Sequence, residues 1–485
     1  MSISGSLANA LSGLTAAARA AQVVSSNVAN ATTEGYGRRI LQTSPATLGG
    51  QGAGVRIDGV LRDVDPQLIA DRRLADADTA HADRKAAFFA RLETSVGLPS
   101  DAGSLSGRIA ALETALIGAA SRPDSDARLS QVASAAREVA SRFNDISGDI
   151  QSLRMDADRD IAQQVGQLND RLEKVADLNH KIRRQMGAGH DAAGLMDQRQ
   201  RLVDDISEVI PLRAVSRDSG EIALYSATGA TLLDGQPASF GFAPVGTIVP
   251  EMTLASGALS GLELNGQPVS TSGPYAPAAG GSLSALFDQR DALAVDAQTE
   301  LDALARDLIA RFQTPGLDPT VPAGATGLFT DQGAAFDPAN EIGIASRLQL
   351  NRAVDPADGG SLWRLRDGLG AATAGPPGNA GLLSAFADVL SETRSVASGR
   401  FTGSTASTSD LSAEYLSFVG GARQSAEADQ SFARAKGEVL KTAELEFGVD
   451  TDQEMQKLLL IEQAYSANAR VVRTIDDMMQ TLLSI

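Results

Sequence analysis

Residues 451–485 read TDQEMQKLLLIEQAYSANARVVRTIDDMMQTLLSI, and their periodicity organises the rest of the chain. From Leu458 onward, Ile461, Tyr465, Asn468, Val472, Ile475, Met479 and Leu482 recur in steps of three and four. This is the a/d spacing of a heptad stripe, with Asn468 as its polar position. Thr451 and Glu454, three apart just before the stripe, form a capping-box pair suited to the free amides of a helix start. No proline or glycine follows Gly448, so the pattern predicts one unbroken helix. A stripe this narrow suits a coiled-coil seam better than the broad face of a core helix, and it requires a partner.

The first thirty residues offer one. Leu7, Leu11, Leu14, Ala18, Ala21, Ser25 and Val28 also step by four and three, on an alanine-rich segment with no proline before Pro45. At about 1.5 Å per residue both helices are roughly 40 to 50 Å long. The two ends are expected to pack together or jointly against neighbouring subunits, with Asn468 setting the register.

Composition sets the bounds. Of 485 residues 43% are hydrophobic but only 4% aromatic, which favours alanine-rich helices over an aromatic-cored enzyme. The net charge of −18 argues against nucleic acid and anionic membrane as partners, since both reward basic patches. Cysteine is absent, excluding disulfides and thiolate metal sites. No apolar run approaches the ~18 residues of a membrane span. The N-terminal residues lack the pattern of a cleaved signal peptide, having no basic residue before Arg19.

All 18 prolines fall between Pro45 and Pro377, and 14 lie from Pro211 onward, so helical ends flank a turn-rich middle. The expected class is α+β, mainly α: a long helical bundle, paired terminal coiled-coil helices and an inserted small antiparallel β domain. The N-terminal assembly helix covers 1–37 and pairs with 450–485. The bundle occupies 38–210, 282–314 and 382–449, with helices at 67–96, 105–120, 125–186, 282–312, 382–398 and 410–447. The β insertion covers 211–281, where short apolar runs alternate with Ser219-Gly220, Thr228-Gly229 and Asp234-Gly235, and it should be separable from the helices. Residues 315–381 are turn-rich, with a strand-like run at 342–350. The Gly49-Gly50-Gln51-Gly52-Ala53-Gly54 cluster precedes a strand-like run and lacks a following Gly-Lys-Ser/Thr, so it predicts a hairpin rather than a phosphate loop.

After the first helix the chain reads Ser26-Asn27-Val28-Ala29-Asn30-Ala31-Thr32-Thr33-Glu34-Gly35-Tyr36, a helix end followed by a tight turn. Asn27, Asn30, Thr33, Gly35 and Tyr36 resemble the Asn-x-x-Asn-x-x-Thr-x-Gly-Tyr signature of the flagellar axial proteins. Glu34 stands where that family commonly has proline, and Thr32 where it often has asparagine. Leu178-Asn179-His180-Lys181-Ile182, Leu195-Met196-Asp197-Gln198-Arg199, residues 281–291 and residues 462–470 are similar to its hook–filament junction branch. The resemblance implies a structural subunit at the hook–filament junction, built into a helical ring with itself. It implies hook protein and a second junction protein as neighbours, export without a cleaved signal peptide, and a cytosolic chaperone on the C-terminal helix.

Nothing positive supports catalysis, a cofactor or a metal. His81, His180 and His190 show no His-x-x-x-His spacing, and no Gly-x-Ser-x-Gly elbow occurs. Asp197 and Arg199 read as a structural salt bridge or cap. The alternatives are another axial subunit, a secreted adhesin or ligand-binding module using the β insertion, or an enzyme centred on 315–381 and marked by a buried carboxylate pair.

Overall fold

The computed structural model describes residues 3–48 and 51–484. Helix α1 (Ile3–Ala29) leads into a two-stranded ribbon, β1 (Arg38–Leu48) and β2 (Gln51–Asp63). The register runs from Arg38 opposite Asp63 to Leu48 opposite Gln51, so the expected hairpin is present. Its turn residues, Gly49 and Gly50, lie outside the described residues. Four long helices follow: α2 (Pro66–Val96), α3 (Leu105–Ser121), α4 (Asp126–Gly187) and α5 (Ala193–Val209). α2 opens on Pro66, whose missing N–H costs nothing there, and the Asp65 carboxylate accepts from the Gln67 and Leu68 amides.

Strands β3 (Leu212–Ser216), β4 (Ile222–Ser226), β5 (Thr231–Asp234) and β6 (Gln236–Pro237) form one antiparallel sheet in that order. β7 (Phe240–Gly241), β8 (Leu262–Leu264) and β9 (Gln267–Val269) form a second. Next come α6 (Gly281–Asp288), a π-turn over Gln289–Leu293, and α7 (Ala294–Phe312). The turn-rich region holds β10 (Phe329–Asp331), α8 (Ile344–Arg347), β11 (Leu348–Leu350) and α9 (Arg364–Asp367). α10 (Gly381–Ser391), β12 (Arg394–Ser395), β13 (Thr405–Ala406), α11 (Thr408–Phe447) and α12 (Thr451–Leu483) complete the chain.

Two hydrophobic cores are strung along α4. Its first half, Leu129 to Leu153, packs with α3, α7, α10 and the ends of α2 and α11. Its second half, Ala157 to Ala176, packs with α5, α6 and the β strands through Leu212, Leu224, Leu233, Phe240 and Leu262. This corrects the expected separable insertion. The strands share the second core with α4, α5 and α6 and are part of the packed body.

Two further departures have local causes. The helix expected to reach Ser398 ends at Ser391, because the buried Arg311 guanidinium donates to the carbonyls of Val389 and Glu392 and satisfies the end of α10. The strand expected over 342–350 begins as a helical turn, because the Asp302 carboxylate accepts from the Gly343 (2.7 Å) and Ala345 (2.9 Å) amides. Burial pushes that carboxyl up to about 6. Its third partner is the Gln298 side-chain amide, so it is a clamp on the chain and not half of a carboxylate pair.

Past Ala433 no residue of α11 is buried; this end lies antiparallel along the start of α2 as a stalk backed on its α2 side by α5 and α6. Ion pairs Arg434–Asp83 and Lys436–Asp78, each 3.0 Å, run along it. Beyond the stalk lie α1, α12 and the ribbon, none of which contributes to either core.

Candidate assembly interface

α12 packs along α1, so the two ends of the chain meet as expected. On α12 the predicted stripe is largely the inward one: Ile475 is buried, and Leu458, Ile461, Asn468 and Val472 are half-buried. Tyr465, Met479 and Leu482 remain exposed. On α1 the predicted stripe is displaced. The buried residues are Ala10, Ala17, Val23, Val24 and Asn27. Leu7, Leu14, Ala21 and Val28 are half-buried, whereas Leu11, Ala18 and Ser25 are exposed.

Gly13 explains the shift. A Cβ there would lie 2.8 Å from the Asn468 side-chain amide, so Asn468 occupies the space where α1 has no side chain. Asn468 donates to the Ala464 carbonyl of its own helix (3.0 Å). It fixes position by filling the glycine gap rather than by the expected polar contact across the seam. Gly13→Leu should therefore open the pair at a cost of about 1–3 kcal/mol, typical of overpacking. Leu11→Ala, at a residue 60% exposed, should cost far less. Amide exchange over 451–484 would measure both; equal effects would put the seam back on the Leu11 stripe.

Glu454 corrects the expected capping box. Asp450 is the N-cap, accepting from the Asp452 and Gln453 amides. Glu454 instead turns into the protein, 1% exposed, and accepts from Asn27 Nδ2 (2.9 Å), Arg38 Nε (3.2 Å) and Lys457 Nζ (3.0 Å). Burial would raise its carboxyl, but the hydrogen bonds from Asn27 and Lys457 and the charges of Lys457 and Arg38 hold it below the usual glutamate range. A depressed folded value stabilises above the unfolded value and is lost as pH falls through the folded one. Pairing of α1 with α12 should thus weaken below about pH 4. Exchange protection of 451–484 should show this acid loss, and Glu454→Gln should flatten it; an unchanged profile would refute the role.

The signature loop is built around the same point. Asn27 is fully buried; its Oδ1 accepts from the Tyr36 hydroxyl (2.9 Å) and the Arg39 amide (3.0 Å), and its Nδ2 also donates to the Arg39 carbonyl (2.9 Å). Asn30 donates to the Ser26 carbonyl (2.9 Å) and accepts from the Thr33 hydroxyl (3.3 Å). Gly35 has φ +73°, and a side chain there would meet Arg201 Cγ at 2.6 Å. All five signature residues therefore lie in one knot that turns the chain from helix to ribbon. Burial pushes the Tyr36 phenol up.

A polar joint ties this knot to the body. Asp197 on α5 accepts from Arg62 Nε (2.7 Å), Arg39 Nη2 (3.2 Å) and the Gly37 amide (3.1 Å). Gln200 accepts from Arg62 and donates to Glu444 on the stalk (3.3 Å). Glu444 pairs with Arg72, which reaches Asp204 at 2.9 Å. Arg199, two residues from Asp197, donates to Asn179 Oδ1 and to the Gly220 carbonyl, each at 2.7 Å. The two paired motifs are thus a clamp between α4, α5 and the β3–β4 turn, and burial there pushes the Arg199 guanidinium down to about 10. Sequence reading found Asp197 and Arg199 but missed Arg38, Arg39, Arg62, Gln200 and Glu444. The three arginines around a predicted hairpin in an acidic chain were the available signal.

Comparisons with known proteins follow this division. The profile described as the flagellar hook-associated protein FlgK helical domain matches residues 89–317. The flagella basal body rod protein profile matches 7–36, which are α1 and the signature knot. The flagellar basal body rod FlgEFG protein C-terminal profile matches 447–485, which contain α12. The helical body is thus similar to flagellar hook-associated protein FlgK, and the two ends to flagellar basal body rod proteins. Flagellar hook-associated protein 1 of Bacillus subtilis is 24% identical over 507 residues, 97% of this chain and 96% of that protein. The protein of the same name from Salmonella typhimurium is 28% identical over 237 residues, 47% of this chain and 42% of the relative. The match thus spans less than half the length of the Salmonella relative. The flagellar hook junction protein FlgK from Burkholderia pseudomallei, a solved structure, is similar at 19% identity. That likeness covers 55% of this chain and 46% of that one, with a TM-score of 0.45.

Proposed function

We propose that this chain is a structural subunit of the junction between flagellar hook and filament, assembled by packing of its terminal helices. The observation that carries the proposal is the apolar surface that pairing leaves uncovered. α12 buries only Glu454 and Ile475. Leu459, Leu460, Met478, Leu482 and Leu483 stay between 55% and 85% exposed. Exposed apolar side chains at both ends of one helix are expected to be covered by other subunits. The ring it forms is read as resting on hook protein and carrying a second junction protein. Export to the flagellum proceeds through the flagellar type III apparatus without a cleaved signal peptide, and a cytosolic chaperone shields the C-terminal helix. Among the described residues no helix is long and apolar enough to cross a membrane. The role is architectural and not enzymatic.

Electron microscopy of cells lacking this chain tests the reading. Hooks should end bare while filament subunits accumulate in the medium. Filaments of normal length on those hooks would overturn it.

A further inference from the structure

Asp302, on α7, is 3% exposed, yet among the described residues no cation lies in ion-pair contact with it. The equally buried Asp158 and Glu454 each meet an arginine, at 2.7 and 3.2 Å. Asp302 rests instead on three uncharged donors, shared unequally. Oδ1 accepts from the Ala345 amide and the Gln298 side-chain amide, each at 2.9 Å, whereas Oδ2 accepts from the Gly343 amide alone, at 2.7 Å. Gln298 is held in this orientation, because its own oxygen accepts from Ser147 and Gln151 of α4, each at 3.0 Å.

The charged groups around Asp302 are engaged elsewhere. Arg347, the cation whose charge bears on it, pairs with Asp331 on β10 (2.8 Å) and with Glu251 (3.5 Å). On α7 itself, Arg306 pairs with Glu341 (3.6 Å), Arg311 pairs with Asp307, and Glu300 accepts from the Arg400 amide (2.8 Å). Arg290 of the π-turn pairs with Asp158 and Asp291. From α11 comes the buried Tyr415, whose hydroxyl donates to the Ala297 carbonyl (3.3 Å).

We propose that Asp302 is a proton-operated latch on the turn at Gly343. Ionised, it holds the turn; in mildly acidic surroundings it takes up a proton on Oδ2 and lets the Gly343 amide go. A buried carboxylate that donors hold but no cation neutralises keeps much of its desolvation cost, which a proton removes. Oδ2 is the atom that takes it, because a proton on Oδ1 would displace two partners and on Oδ2 only one. Burial raises this carboxyl against the pull of its hydrogen bonds and of Arg347. A carboxyl raised in the folded chain contributes stability below its unfolded value, and that contribution is lost as pH rises through about 6. The body therefore firms on mild acidification, opposite in sign to the terminal pair at Glu454.

The motion is local. Ile344, Ala345 and Leu348 are fully buried, and Asn144 of α4 donates to the Ala345 carbonyl (2.7 Å), so the inner side of the turn stays anchored. On the outer side Ile342 is 61% exposed. A Cβ on Gly343 would lie 3.0 Å from Glu251 and 3.2 Å from Pro250, so the freed amide borders the loop between β7 and β8.

Hydrogen exchange of the full-length chain, read on 338–347 and corrected for the intrinsic effect of pH, tests the latch. From about pH 7.5 to about pH 5, corrected protection should fall by about five- to tenfold, the weight of one hydrogen bond. Asp302→Asn, which puts a donor where the proton would sit, should show the low protection at both pH values. Unchanged protection in the unsubstituted chain would overturn the proposal, and this comparison stands even if the variant fails to fold. A fall that survives in Asp302→Asn would overturn it equally, since the proton would then be bound elsewhere.

Discussion

Ile475→Asp is expected to abolish incorporation of the chain into the junction while leaving its body folded. Ile475 is 7% exposed and is the one apolar side chain of α12 that is buried. Its burial contributes roughly 1.5–3 kcal/mol. A carboxylate in its place adds several kcal/mol unless it protonates or reaches water. Both hydrophobic cores lie elsewhere, between Ala86 and Ala426, so the main thermal transition should not move. Protease sensitivity should instead appear beyond Gly448, where the released helix frays. Asp476 is exposed and only meets Gln480 on its own helix, so Asp476→Ala is the control. Secreted and cell-associated protein must be measured separately, because a chaperone reading the same face would also lower export. Normal incorporation of Ile475→Asp would sink the seam, and unfolding of the whole monomer would make α12 part of the body.

Asp197→Ala should uncouple the terminal pair from the body without melting either. The substitution leaves Arg39, Arg62 and the Gly37 amide without their shared acceptor. The arginine side chains are 20% and 13% exposed, so the loss should sit near the low end for a broken buried pair, roughly 3 kcal/mol. Spin labels on cysteines introduced at Arg19 and Arg213, both exposed, would report the distance between α1 and the body. The distribution should broaden in Asp197→Ala, and Asp197→Asn, which keeps one acceptor oxygen, should fall between. An unchanged distribution would show that packing alone holds the joint.

The contrast between the two terminal helices shows what could be read in advance. The α12 stripe was legible because its apolar residues occupy one periodic set. α1 carries alanine on every face, so the Leu7-to-Val28 set and the Ala10-to-Asn27 set satisfy the same spacing. Only the partner, through Gly13 and Asn468, selects between them. Glu454 was misread for a related reason. Local spacing made it a cap, whereas its partner Asn27 lies 427 residues away. The β strands were visible from their turns, but short apolar runs do not say which helix they will cover. The long helices were legible to within a few residues, as with α11, expected over 410–447 and observed over Thr408–Phe447, where Ser407 and Asp410 close its start.

α4 has a mechanical consequence. Its 62 residues form one rod about 93 Å long, and both cores are fastened to it. Load entering at either core passes along a single continuous column with no seam at which the cores can slide. Compliance must then reside elsewhere in the load path, where the stalk meets the terminal pair at Gly448 and the Asp197 cluster. A subunit set between two tubes of different stiffness would flex at that elbow and keep its column straight.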